Sequence, residues 1–164
     1  MIIELESVFN TEGLKVPFDY ELSLSEVEVS GFYPITGPVK VAGSVENKAG
    51  IVNLKASAAL SYEAPCDRCA TDVRTEYHFP VEHTLVVALE SGDNDEFLEV
   101  PNMRLDLDEL VEEDVNLALP GKYLCNEECK GLCPQCGVNL NENQCDCKAP
   151  IDPRMAALLQ LLDE

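Results

Sequence analysis

The sequence predicts an α+β fold: an antiparallel β-sheet or partly closed barrel, one acidic amphipathic helix, a C-terminal cysteine-rich module and a short C-terminal helix. Three observations lead there. Apolar and polar residues alternate with period two through much of the first ninety positions. A helix cap followed by an apolar stripe stands near residue 106. Six of the eight cysteines crowd between Cys125 and Cys147.

The clearest strands form a hairpin. Val39, Val41 and Val45 alternate with polar or small neighbours. After Asn47-Lys48-Ala49-Gly50, a turn by composition, Val52, Leu54, Ala56, Ala58 and Leu60 share one face. Tyr77, Phe79, Val81, Leu85, Val87 and Leu89 lie on one parity of a further antiparallel strand, with Pro80 as the place where it would break. Weaker patterns mark strands over 3–9, 16–24 and 26–32. Ser91 to Asp95 reads as an exposed acidic loop. The helix that follows is capped by Asp106, with Glu109 three residues on, and carries Leu107, Leu110, Val111 and Leu117 as its apolar stripe until Pro120-Gly121 stops it. A last helix starts at Asp152-Pro153, with Met155, Leu158, Leu159 and Leu162 on one face.

The length of 164 residues, 46% apolar and 26% charged, supports a real core. The division expected is a β-rich domain with its acidic helix over 1–120 and a zinc-binding module with the last helix over 121–164. No apolar run approaches the ~20 residues of a membrane span. The opening Met1-Ile2-Ile3-Glu4-Leu5-Glu6 lacks the basic leader of a secretory signal, so a cytoplasmic protein is expected.

A reducing compartment makes closely spaced cysteines metal ligands rather than disulfides. Cys133-Pro134-Gln135-Cys136-Gly137 is a zinc knuckle in its chemistry: two thiolates grip one ion while the glycine lets the backbone turn beneath it. Cys145-Asp146-Cys147 supplies the second pair, and Asn139 to Asn143 suits the reversal between them. Four thiolates fill a tetrahedron and leave no open position, which defines a structural site. Cys66, Cys69, Cys125 and Cys129 make the economical second site, so one or two Zn2+ ions are expected. Six thiolates sharing overlapping sets around the first ion, or Cys66 and Cys69 as a redox pair, are the other arrangements.

Charge narrows the partners. The formal net charge is −20, and half of it lies between Glu90 and Asp114, where eleven acidic residues face one base, Arg104. Such a field repels phosphate backbones and attracts basic surfaces. Only two histidines are present; His78 and His83 fall on opposite faces of a strand and cannot share an ion, and His83, on the apolar parity, reads as a satisfied core histidine. No metalloprotease helix, phosphate-binding glycine loop or nucleophile elbow occurs, and an all-thiolate site has no place for an activated water. No catalytic residue and no small-molecule substrate is expected.

Cys129-Lys130-Gly131-Leu132-Cys133-Pro134-Gln135-Cys136-Gly137-Val138-Asn139-Leu140-Asn141, then Cys145-Asp146-Cys147 and Asp152-Pro153-Arg154, closely resembles the YceD-like large ribosomal RNA subunit accumulation proteins. Cys66-Asp67-Arg68-Cys69 looks like the upstream C-x-R-C element of that family, and the acidic helix ending at Leu119-Pro120 is similar too. The resemblance implies a role in accumulation of large-subunit ribosomal RNA, hence in ribosome biogenesis.

Charge and resemblance together give an expectation of a non-enzymatic assembly factor. Glu96, Glu99, Asp106, Asp108, Glu109, Glu112, Glu113 and Asp114 would hold a basic ribosomal protein or a pre-ribosomal particle. The alternatives are direct binding of ribosomal RNA through Lys122, Tyr123, Lys130 and Lys148, and a thiol-switch chaperone that loses zinc on oxidation.

Overall fold

The computed structural model of the chain describes residues 1–29, 31–88 and 96–147; the helix expected from Asp152 onward and Lys148 lie outside them. In chain order the elements are β1 (Ile2–Glu4), α1 (Glu6–Asn10), β2 (Lys15–Ser23), β3 (Ile35–Lys48), β4 (Ile51–Pro65), β5 (Asp72–Val86), β6 (Phe97–Glu99), β7 (Arg104–Asp106) and α2 (Leu107–Ala118). Strands β2-β3-β4-β5-β6 form one mostly β layer, a sheet curled into a half-barrel, while β1 and β7 pair antiparallel as a separate ribbon. The chain divides into two compact units: Met1–Ala64 with Arg74–Gly121, and Pro65–Val73 with the chain from Lys122 onward.

The hairpin follows from its sequence. Val45 pairs with Leu54 and Lys48 with Ile51, and Ala49 and Gly50 take φ of 52° and 83°, the left-handed pair that a tight hairpin turn requires. Val39, Val41, Val45, Val52, Leu54, Ala58 and Leu60 are buried. Gly43 sits opposite Ala56 so closely that any Cβ there would lie 2.4 Å from the Ala56 Cβ, so the strands can meet only with glycine at this point.

Several expectations are corrected. Residues 6–10 are helical, not extended: Leu5 and Val8 are buried, Phe9 N–H donates to Leu5 O at 2.9 Å, and the buried Asn47 donates to Val8 O and Phe9 O at 2.8 and 3.3 Å. The carbonyls at the helix end are satisfied by a side chain 39 residues away, a partner no local pattern reveals. The described residues of 26–32 form no strand, only one isolated bridge between Val29 and Phe32. Strand β5 runs unbroken through Pro80. Because β6 covers only Thr84 to Val86, the strand is an edge beside Pro80, where a residue without an N–H is tolerated. The sheet is not wholly antiparallel either, since β6 pairs with β5 in parallel.

Helix α2 begins where expected, with Asp106 accepting from the Asp108 N–H at 3.0 Å, and ends with Leu119 N–H donating to Val115 O. Its buried side is Leu107, Leu110, Val111 and Val115. Leu117 was expected in that stripe and is instead 79% exposed, because the i, i+4, i+8 row runs through Val115.

Candidate metal centre

The second unit contains all eight cysteines, every one a free thiol, gathered in two groups of four: Cys66, Cys69, Cys125 and Cys129, and Cys133, Cys136, Cys145 and Cys147. Within each group the sulfurs lie within 4.8 Å of one another. In the first, Cys66 Sγ and Cys129 Sγ are 3.8 Å apart and Cys69 Sγ and Cys125 Sγ 3.5 Å. Thiolates at about 2.3 Å from a tetrahedral zinc are about 3.8 Å from one another, so the donor set fits that ion in number, chemistry and spacing.

Two matching turns make this possible. The Cys66 N–H donates to Thr71 O and the Ala70 N–H returns to Cys66 O, at 2.9 and 2.8 Å. In the same pattern Cys133 N–H donates to Val138 O and Gly137 N–H to Cys133 O, at 2.8 and 2.9 Å. In each turn the residue after the second cysteine is left-handed, Ala70 at φ 57° and Gly137 at φ 72°. The backbone therefore reverses and both cysteines of each pair point at one spot.

These turns also aim N–H groups at sulfur. Burial resists ionisation of Cys66, but backbone N–H groups of Cys125, Arg68 and Cys69 outweigh it and lower its pKa to about 6. Backbone N–H groups of Cys136 and Gln135 bring Cys133 to about 6 as well. Cys125 is pushed up to about 12 by its hydrogen bond with Cys129, and Cys147 to about 12 by that with Cys136. Burial resists ionisation of Cys129 too, but the Asn141 amide and the Gly131 N–H outweigh it, so each group holds at least one sulfur that favours the thiolate, the form a divalent cation binds.

The first group is tied together by residues the sequence reading did not single out. Arg68 Nη1 donates to Glu127 O and Cys129 O at 3.2 and 2.9 Å, holding the Cys125–Cys129 turn. Asp67 brackets Tyr123 through both its N–H and its carboxylate. Gly131, at φ 76°, passes so near Arg68 that a Cβ would stand 3.0 Å from Arg68 O. Cys66, Cys69 and Cys129 are buried with Val73 and Leu124 packed on them, whereas Cys125 is exposed. The arginine within C-x-R-C was the one available signal, since its planar fork suits carbonyls.

The expected partner-binding acids have different fates. Asp106 caps α2, Asp108 is paired with the Met1 ammonium, and Asp114 Oδ2 lies 2.7 Å from His83 Nε2. That contact satisfies His83, which is half-buried on the first unit. Glu109, Glu112 and Glu113 are exposed on α2 and make no ion pair among the described residues; Glu96 and Glu99 are exposed as well. Of the RNA candidates, Lys122 and Lys130 are exposed. Tyr123 is 6% exposed and its hydroxyl donates to Val73 O at 3.1 Å, so its ring is a packing element and not a stacking platform.

Residues 54–162 match the family model described as large ribosomal RNA subunit accumulation protein YceD. An uncharacterized protein of Mycobacterium tuberculosis, Rv2926c, is 30% identical over 122 residues, which are 72% of this chain and 59% of that one. The chain thus spans about three-fifths of the length of the mycobacterial relatives it matches. YlbN of Bacillus subtilis is 26% identical over 151 residues, 90% of this chain and 88% of its own. A protein of Arabidopsis thaliana named large ribosomal RNA subunit accumulation protein YCED homolog 1, chloroplastic, is 37% identical over 43 residues, 26% of this chain and 13% of that one. No solved structure matches significantly.

Proposed function

Because this chain belongs to the YceD family of large ribosomal RNA subunit accumulation proteins, we propose that it is a non-enzymatic ribosome-biogenesis factor of the cytoplasm that supports accumulation of that RNA. Its eight cysteines hold two structural zinc ions. Four thiolates around each ion leave no position for water, so the metal holds the chain and does no chemistry on a substrate. The second unit is loop-rich, and there the energy of metal binding is folding energy.

The factor acts by holding a basic ribosomal protein or assembly intermediate. The observation that carries this is the outer face of α2: Glu109, Glu112 and Glu113 are exposed and make no ion pair among the described residues, and Leu117 beside them is 79% exposed. Exposed carboxylates are available to lysines and arginines of another molecule, and an exposed leucine adds apolar area to the contact. Glu96 and Glu99 extend the acidic surface. Such binding weakens steeply with salt. The test is the charge reversal E109K/E112K/E113K, read in low-salt capture from nuclease-treated cells and in large-subunit ribosomal RNA levels. The expected result is loss of the captured basic protein and a fall in the RNA. Unchanged capture and RNA would refute the reading.

Direct RNA binding through the second unit has less behind it. Its described residues carry three basic and six acidic side chains, and Tyr123 is packed inside. The thiol-switch reading rests on one observation, the exposure of Cys136 and Cys147 in the second group and of Cys125 in the first, which would let peroxide reach sulfur at both. Zinc release and gain of client binding on peroxide treatment would support it.

A further inference from the structure

Asn141 belongs by position to the second group of cysteines, in the loop between Cys136 and Cys145. Its side chain works on the first. Nδ2 donates to Cys129 Sγ at 3.2 Å, while Oδ1 accepts the Lys130 N–H at 2.8 Å. The amide is held in place by its own loop: Asn141 Nδ2 also donates to Asn139 Oδ1 at 2.8 Å, as the Asn141 backbone N–H does at 3.0 Å, while Asn139 is itself fixed by Asn143 N–H donating to its carbonyl at 3.0 Å and by its Nδ2 donating to Glu142 Oε1 at 3.2 Å. The Leu140 N–H donates to Gly131 O at 2.9 Å, and Leu132 bridges Asn139, so the loop lies against the segment that leaves Cys129.

We infer that Asn141 is a positioning residue that couples the two metal centres, with the loop closed by the second supplying a hydrogen bond that the first needs to hold its ion tightly. This rests on the reading of both groups as zinc sites. A tetrathiolate zinc centre carries a net negative charge, and an N–H donor on one sulfur spreads that charge and favours the bound thiolate. When the second centre is empty, the 137–144 loop keeps its bonds to Gly131 and Lys130 but loses the anchor of its two ends, and the donor at Cys129 is held less firmly. Coupling of this kind is reciprocal, so filling the first centre also steadies the loop of the second.

The informative variant is Asn141→Asp. It keeps an oxygen for the Lys130 N–H but turns the donor at Cys129 into a carboxylate that repels the thiolate. Asn141 is exposed, so this change leaves no buried cavity. The full-length protein, its Asn141→Asp form and the Cys145→Ser/Cys147→Ser form are titrated with Zn2+ against a chromophoric chelator. Co2+ absorption reports thiolate ligation and far-UV circular dichroism reports folding. Wild type is expected to bind two ions. Asn141→Asp should also bind two, one of them about 10- to 100-fold more weakly, the usual effect of losing a hydrogen bond that supports a metal ligand. Emptying the second centre should weaken the first by a similar factor, and adding Asn141→Asp to that protein should weaken it little further. Two ions at wild-type affinity in Asn141→Asp, or fully additive losses in the combined protein, would overturn the coupling and leave the zinc reading standing. A wild-type protein that binds no zinc would overturn both.

Discussion

The two cysteine groups share a backbone device and differ in how they are assembled. Both open with the same five-residue hydrogen-bonded turn, one ending in Ala70 and the other in Gly137. The second draws its four thiols from a single stretch, 133–147, and leaves Cys136 and Cys147 exposed. The first joins Cys66 and Cys69, at the turn between β4 and β5, to Cys125 and Cys129, across a sequence separation of 63 residues from Cys66 to Cys129, and buries three of the four. A local site needs only its own loop to close. A divided site must also bring two distant segments together, and an ion bound there would be a staple between them.

Breaking the staple should have the largest effect. In Cys66→Ser/Cys69→Ser, zinc per chain is expected to fall and residues 122–147 to become readily cleaved by protease, since apparent binding energies of structural zinc are on the order of 10 kcal/mol. Cys145→Ser/Cys147→Ser should expose 133–147 to protease while leaving the turn of Cys66 and Cys69 protected. Equal digestion patterns for the two proteins would contradict the difference drawn here.

Glycine substitutions sharpen the comparison. Gly131→Ala combines a left-handed backbone with a Cβ 3.0 Å from Arg68 O, whereas Gly137→Ala meets nothing within 4 Å. The second change should cost about 1–2 kcal/mol of stability, the usual penalty for a side chain in that conformation, and the first clearly more, measured by thermal unfolding of the zinc-loaded protein. Arg68→Lys removes a planar donor that reaches two carbonyls and should cost about 1 kcal/mol, seen as faster zinc release to a chelator from the first centre only. The smallest effect is a gain. Ala70→Gly relieves the left-handed alanine at φ 57° and should stabilise by about 1 kcal/mol, or about 2–4 °C in Tm, bringing the first turn to the composition of the second.

What could be read from sequence follows the same divide between local and distant. The β3–β4 hairpin was legible because its turn and its alternation lie in one window. The cap of α2 was legible for the same reason. Helix α1 was not, since its end is satisfied by Asn47 from another element, and β6 was not, since three residues carry no period. The grouping of Cys133, Cys136, Cys145 and Cys147 was the arrangement their spacing favoured, and the fold separates it from the overlapping six-thiol set. The first group needed the fold to choose among pairings, and its supports, Arg68, Gly131 and Asn141, act through backbone atoms and a sulfur in other segments. Tyr123 misled because an aromatic among cysteines looks the same in sequence whether it faces a base or Val73.

The central claim, two tetrathiolate zinc centres built from eight cysteines, is tested most directly by native mass spectrometry of the full chain beside a thiol count after denaturation with chelator. Two zinc ions per chain and eight reactive thiols are expected. A single ion, none, or thiols lost in disulfides would contradict it.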